Sequence, residues 1–402
     1  MDNMKIENIN NNRNNNINNI YMTSLAIKKV NNLYNKLNKT HQNYIGIQHS
    51  QRIKYDKIIN KFSHIHLNNI ADPFYPPKIP LDPNDYDLER EYIRTYGELI
   101  GIPKNKVWGV TTTSGSEGLL YAIVFGINYF KKQKKNNPIV MFSKAHYIVH
   151  RYARMFNLEM IECKSNFYDE ISSESIEEII IKNKKKFDKE GIIIFLTIGT
   201  TIKAGIDDIS SVCKILKKYN VNYYMHLDAA LGGLILPYLD NNPINYKKNK
   251  FNSLTTTAHK MYGTPYPIGL FITLDKYRLT DSTEYTSKND STLFCSRNGQ
   301  AVLYMYLYLC DKNSFKERRK EVLQCFSLVK YFEKKLSDHN IPYDRNPNNG
   351  LAILFNKNEV PEELKKKYFL VSDDIYTHVF VMIHLNKKII NNFIKDYLKY
   401  KK

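Results

Sequence analysis

The run Tyr223-Tyr224-Met225-His226-Leu227-Asp228-Ala229-Ala230 decides how this chain is read. Apolar and aromatic residues make a short strand that must be buried, and a carboxylate closes it at its carboxyl end. In open α/β sheets that end is where ligands bind. Working outward, further β-rich runs lie at 139–142, 160–163 and 192–197, with two more near 253–257 and 269–273. Helical periods at 117–130, 148–156, 175–184 and 209–219 separate the first of these. Strands spaced by helices imply a mainly parallel sheet covered on both faces.

Before this region, 23–60 reads as helical and lysine-rich, 71–77 as a loop, and 87–100 as an amphipathic helix. After it, a long helix is expected from Gly299 to about Leu336, then strand-like segments at 351–355 and 377–383 among helices. The domain expectation is an Asn-rich tail at 1–22, a helical segment at 23–85, a large α/β domain at 86–310 and a small C-terminal α/β domain at 311–402. The asparagine-rich composition of the tail is unsuited to packing.

The chain has 402 residues, 43% of them hydrophobic, enough for a large core and more than one domain. Its formal charge is +19. The lysines fall in scattered runs such as Lys131-Lys132-Gln133-Lys134-Lys135, with no aromatic-interleaved basic stripe, so no nucleic-acid partner is expected. Five dispersed cysteines without metal-ligand spacing fit reduced thiols. With no apolar run long enough for a bilayer and no signal-peptide apolar region, a soluble cytoplasmic protein is expected, with no membrane and no metal.

Three parts stand in order along the large domain. Thr112-Thr113-Ser114-Gly115-Ser116-Glu117-Gly118 is a small polar loop entering a helix, and backbone N–H groups there form an anion site. Asp228 follows at its strand end. Lys260, in Thr255-Thr256-Thr257-Ala258-His259-Lys260-Met261-Tyr262-Gly263, comes third after an extended Thr-rich segment. Taken singly, the loop is an ordinary helix cap, the aspartate a turn cap and the lysine a solvated cation. As an ordered set they are what holding pyridoxal 5'-phosphate requires: a Schiff-base lysine, a carboxylate for the pyridinium nitrogen and a phosphate cradle. His259 would suit the phosphate, and His146, just past a strand end, could stack on a planar cofactor.

These segments resemble the group II pyridoxal-phosphate-dependent amino acid decarboxylases, most closely their histidine and serine decarboxylase branch. The resemblance rests on 66–73, Ser114-Gly115-Ser116-Glu117-Gly118, 143–147, 199–209, 226–233, His259-Lys260, Ser296-Arg297-Asn298-Gly299 and 379–384, and covers about residue 45 to the end. It implies a fold type I, aspartate aminotransferase-like architecture: a mainly parallel seven-stranded sheet with helices on both faces, plus the small C-terminal domain. It further implies Lys260 as Schiff-base lysine, Asp228 as pyridinium partner, His146 on one cofactor face and Ala230 on the other. Ser114, Gly115, Ser116 and His259 would bind phosphate, and Thr200 would approach the phenolic oxygen. Ser296–Gly299 would lie at a homodimer interface near the adjacent site's phosphate, and Tyr285 would supply a proton after decarboxylation. The reaction implied is decarboxylation of an amino acid, first L-histidine to histamine, second L-serine to ethanolamine. Another pyridoxal reaction (a transaminase or lyase) or an inactive scaffold of the same fold are the competing readings. Three positions depart from the family pattern: Leu119 for asparagine, Gln300 for histidine, and Ile45-Gly46-Ile47-Gln48-His49-Ser50 for a Gly-Tyr-Pro stretch. The last bears on substrate choice.

Overall fold

A computed structural model describes residues 25–280, 290–348 and 350–400. The Asn-rich tail and Tyr285 lie outside the described residues. The chain divides into two compact units, Met1–Tyr44 and Ile45–Lys402. In the first, helix α1 spans Leu25–Thr40, so the helical reading of 23–60 stops well short of its expected end. In the second, a single turn α2 (Asp56–Ile59) and strand β1 (Asn68–Ile70) precede helix α3 (Tyr86–Leu99). Tyr92, Ile93 and Tyr96 of α3 are fully buried, the stripe expected of an amphipathic helix on a core.

The large sheet follows. Its strands are β2 (Val107–Thr112), β3 (Ile139–Phe142), β4 (Met160–Glu162), β5 (Ile192–Thr197), β6 (Tyr223–Asp228), β7 (Ser253–Thr257) and β8 (Gly269–Leu274). They are ordered β2-β8-β7-β6-β5-β3-β4, parallel throughout except for β8, which runs antiparallel to both β2 and β7. Seven mostly parallel strands are the architecture expected, and every residue of β3 and β5 is buried, as a doubly covered sheet requires. The intervening helices are α4 (Gly115–Lys131), α5 (Tyr147–Met155), α6 (Ser173–Glu190) and α7 (Ile209–Lys218), with the short α8 (Ala258–Met261) after β7.

Strand β9 (Ser296–Asn298) pairs antiparallel with β1. The expected helix from Gly299 to Leu336 is instead two, α9 (Gly299–Leu309) and α10 (Ser314–Asp338). The break falls on Cys310-Asp311-Lys312-Asn313, and Ser314 Oγ donates to the Leu309 carbonyl left open at the end of α9. Polar turn formers outcompete the helical period there. A second sheet, β10 (Ala352–Asn356), β11 (Val371–Ser372) and β12 (Tyr376–Phe380), is antiparallel in the order β10-β12-β11 and carries α11 (Glu362–Tyr368) and α12 (Lys387–Tyr400). No helix among the described residues is long and apolar enough to cross a membrane.

A buried ion pair joins the first and last parts of this frame. Arg297 of β9 pairs with Glu89 of α3, and its guanidinium also donates to the Ala71 carbonyl at 2.7 Å. Glu89 in turn accepts the Thr111 N–H at 2.8 Å and the Asn69 amide at 2.9 Å. Removing one partner of such a pair leaves an uncompensated buried charge, a cost of about 3–5 kcal/mol. The network therefore fixes the end of β2, from which the polar loop departs.

Candidate active site

Strands β6 and β7 run parallel, so their carboxyl ends deliver Asp228 and the segment leading to Lys260 to the same edge of the sheet. Strand β2 brings the loop to that edge, because Thr112 and Thr257 both register with Gly269 of β8. One cavity of about 180 Å³ is the result, lined by Asp228, Lys260, His259, His146 and Ala230 together with Ser114, Gly115 and Ser116. Eight sequence-selected residues thus face one space.

Ser114 sits in extended backbone before α4, and its side chain caps none of the helix amides. Glu117 instead holds the loop before the helix, accepting the Thr113 N–H at 2.7 Å and the Thr113 hydroxyl at 2.8 Å. The first-turn N–H groups of a 17-residue helix therefore point at the cavity end with positive partial charge. Nδ1 of His259 lies 3.2 Å from both the N–H and the carbonyl oxygen of Ile268, so the Ile268 backbone holds that side of the ring and leaves Nε2 for other contacts. Burial first, then His49 and Lys260, push His259 down to about 4.

Asp228 is 7% exposed and accepts the Ala230 N–H at 3.2 Å. It is the single carboxylate lining the cavity. Lys260 has its ammonium form disfavoured by burial and partly restored by Asp228, for a net lowering of its pKa. His146 caps α5 through Nδ1, which accepts the Ile148 N–H at 3.4 Å. Burial lowers its pKa, Asp228 opposes that, and Lys260 adds to it.

Two selected residues lie elsewhere. Thr200 is buried with its hydroxyl accepting the Gly205 N–H at 2.8 Å, and its neighbours Gly199 and Thr201 line the cavity. Ser296 is exposed on β9 and lines an adjoining cavity of about 530 Å³, shared with Ser114 and Ser116 across the loop. Sequence reasoning missed His49, Lys144, Thr197 and Thr257, all of which line the Lys260 cavity. Lys144 and Thr257 adjoin selected residues, a usable signal. His49 belongs to the 45–50 stretch tied to substrate choice, but its place beside Lys260 comes from long-range contacts: the Ser50 N–H bonds to the Lys260 carbonyl at 2.8 Å, and the Gln48 amide donates to the Thr201 carbonyl at 2.9 Å. Those contacts span more than 150 residues of sequence.

The residues present fit pyridoxal 5'-phosphate. A Cβ on Gly115 would come 3.1 Å from Thr257 Cγ2 and 3.7 Å from Ala230 Cβ, so any side chain there would intrude on the cradle between loop and strand. The lining also joins a helix N-terminus and neutral imidazoles to a buried amine and one carboxylate. That set suits a ligand with an anionic end, a carbonyl and a basic ring nitrogen.

The pyridoxal-dependent decarboxylase conserved domain matches residues 79–343. Histidine decarboxylase of Vibrio anguillarum is 28% identical over 354 residues, 85% of this chain and 87% of that protein. Serine decarboxylase 1 of Oryza sativa subsp. japonica is 26% identical over 345 residues, 85% of this chain and 69% of that one. L-methionine decarboxylase from Streptomyces sp.590 superposes with a TM-score of 0.81 at 18% identity, over 93% of this chain and 95% of that chain. Glutamate decarboxylase of Lactobacillus brevis gives 0.76 at 14% identity, over 94% and 92%.

Proposed function

The chain belongs to the pyridoxal-dependent decarboxylase family, and from that premise we propose that it converts L-histidine to histamine and carbon dioxide. Its cofactor is pyridoxal 5'-phosphate, and its reaction is the decarboxylation of an amino acid. The observation that carries the residue assignment is the convergence of Lys260, Asp228 and the Ser114–Ser116 loop on one cavity. Histidine as substrate is supported by the histidine decarboxylases among the curated relatives, at 28–29% identity. L-serine is the second reading, supported by the rice enzyme.

When bound, the cofactor supplies an electron sink for the pair left behind as carbon dioxide departs. The chain's own residues do the rest. Ser114, Gly115, Ser116 and His259 would bind the phosphate and so anchor the cofactor at the loop. Asp228, accepting a single backbone N–H, keeps capacity for a proton held at the ring nitrogen. Ala230 leaves one side of the cavity low enough for a flat ring, and His146 would cover the other. Lys260 would hold the carbonyl carbon through Nζ. Its lowered pKa lets Nζ release and take back a proton within the cavity. Each turnover breaks the bond from Cα to the carboxylate and places one proton on Cα. Tyr285, outside the described residues, is our proposed source of that proton. The active unit in this reading is a cytoplasmic homodimer in which Ser296–Gly299 borders the neighbouring site.

Incubating cofactor-loaded protein with each common amino acid and detecting amines by mass spectrometry tests the reading, with Lys260→Ala as control. Histamine formed by the wild type alone is expected. Ethanolamine alone would transfer the assignment to serine. No amine from any amino acid would overturn both.

A further inference from the structure

A separate cavity, also of about 530 Å³, opens at the opposite end of the large sheet from Lys260. It is lined by Lys106, just before β2, by Lys276, just after β8, and by Tyr246, Lys247 and Lys250. Because β8 is antiparallel to β7, its carboxyl end lies beside the amino end of β7, away from Asp228. This volume is that of a small-molecule site.

Its charge is one-sided. None of the four lysines takes part in an ion pair among the described residues. The single carboxylate in the lining, Asp275, is already matched by Arg278 at 3.2 Å and accepts the Tyr75 hydroxyl at 3.2 Å. Four like charges around one concavity raise the local concentration of anions. The loop carrying three of these residues is held in place. The Tyr246 N–H donates to the Ile100 carbonyl at 2.7 Å, and the Lys247 N–H to Asn245 Oδ1 at 2.9 Å. Gly101 packs against that loop at φ +83, where a Cβ would meet Asn245 Oδ1 at 2.7 Å. The cations are therefore presented on a preformed scaffold, which lowers the ordering cost of binding.

The other half of the site is aromatic. An adjoining cavity of about 280 Å³ shares Tyr246 and Lys250 and is walled by Tyr129, Tyr223 and Tyr277. Lys250 Nζ rests 4.1 Å from the Tyr246 ring centroid and Lys276 Nζ 4.7 Å from that of Tyr277. Such contacts are weak at exposed sites. A phosphate would draw both ammonium groups away and leave the ring faces open to a planar partner.

We propose that this paired cavity binds a mononucleotide, its phosphates on Lys106, Lys247, Lys250 and Lys276 and its base against Tyr246. The site is independent of the decarboxylase active site and gives part of the +19 charge a purpose. Lysine suits the task as a mobile point charge for phosphate.

Calorimetric titration of the holoenzyme tests this, because bound cofactor already fills the Ser114–Ser116 loop. ATP is expected to bind saturably with a dissociation constant of roughly 0.01–1 mM. Tripolyphosphate, which lacks a base, is expected to bind about tenfold more weakly or worse. Lys247→Ala/Lys250→Ala should weaken ATP by at least about tenfold with amino acid turnover unchanged. Tyr246→Ala should weaken ATP while leaving tripolyphosphate alone. Absence of saturable ATP binding, an unaffected double variant, or tripolyphosphate binding as tightly as ATP would each overturn the assignment.

Discussion

Gly118 of α4 lies against Thr255 of β7 so closely that a Cβ at position 118 would fall 2.4 Å from Thr255 Cγ2 and 2.5 Å from Oγ1. This contact sets the distance between the N-terminal end of α4 and the strand that leads to Lys260. Gly118→Ala is expected to cost about 1–3 kcal/mol through overpacking, read as a lowered denaturation midpoint. It should also weaken cofactor retention, because the loop must move. Thr255 Oγ1 is buried with no hydrogen-bond partner among the described residues, so Thr255→Ala alone should be nearly neutral. The double variant should recover at least half of the loss. A double variant no better than Gly118→Ala would show that the crowding lies elsewhere.

His226 makes a separate prediction about pH. It is fully buried in β6, bonded through Nδ1 to Ser253 Oγ at 2.8 Å, and burial alone pushes it from 6.5 to about 3. Above pH 6.5 the ring is neutral in folded and unfolded chains, so pH has no effect through this group. Below 6.5 the unfolded chain takes a proton that the folded one refuses, and stability falls until about pH 3. Between pH 6.5 and 5 the difference amounts to about 2 kcal/mol. Chemical denaturation of wild type and His226→Gln across that range isolates it, since the other titrating groups are common to both. Parallel stability curves would sink the argument.

What the sequence disclosed followed from period and from order. Runs such as Ile192–Thr197 announce a buried parallel strand by composition, and Asp228 and Lys260 sit where parallel strands must end. Strand β2 escaped because Trp108-Gly109 and two threonines at its end blur the apolar run, although all six residues are buried. The break between α9 and α10 was masked by helical periods on both sides of a four-residue turn. The contact of His49 with His259 and the Arg297–Glu89 pair were beyond reach for another reason. Their partners lie some 200 residues away, and no local periodicity encodes a contact at that range.

Asp228 can be tested for charge apart from shape. Asp228→Asn keeps the acceptor for the Ala230 N–H and removes the negative charge. If the carboxylate holds a proton at the cofactor ring nitrogen, turnover should fall by about three orders of magnitude with the fold intact. An effect on His146 provides a readout that needs no activity. Asp228 is the group that raises the His146 pKa against burial and Lys260, so the variant should lower that pKa further. NMR titration of the ring protons would show it. A His146 pKa that rises or stays fixed would show that Asp228 does not reach the ring.

The orientation of the His259 ring leads to the last expectation. With Nδ1 engaged by the Ile268 backbone, Nε2 is the ring atom left to meet phosphate, as donor in the tautomer that carries its proton there. His49 stands edge-on to this ring at 5.0 Å between centroids, and both imidazoles are held at about 4. A ring of that kind acts as a neutral donor between pH 5 and 8, so cofactor affinity should show no step near pH 6.5. His259→Phe removes the donor and keeps the ring, and should release the cofactor about tenfold more readily, followed by the absorbance of protein-bound cofactor during dialysis. His259→Asn, which keeps an N–H, should retain more of it. A clear affinity step near pH 6.5 in the wild type that is lost in His259→Phe would mean instead that a charged imidazolium holds the phosphate. In that case burial would not be the dominant influence on this ring.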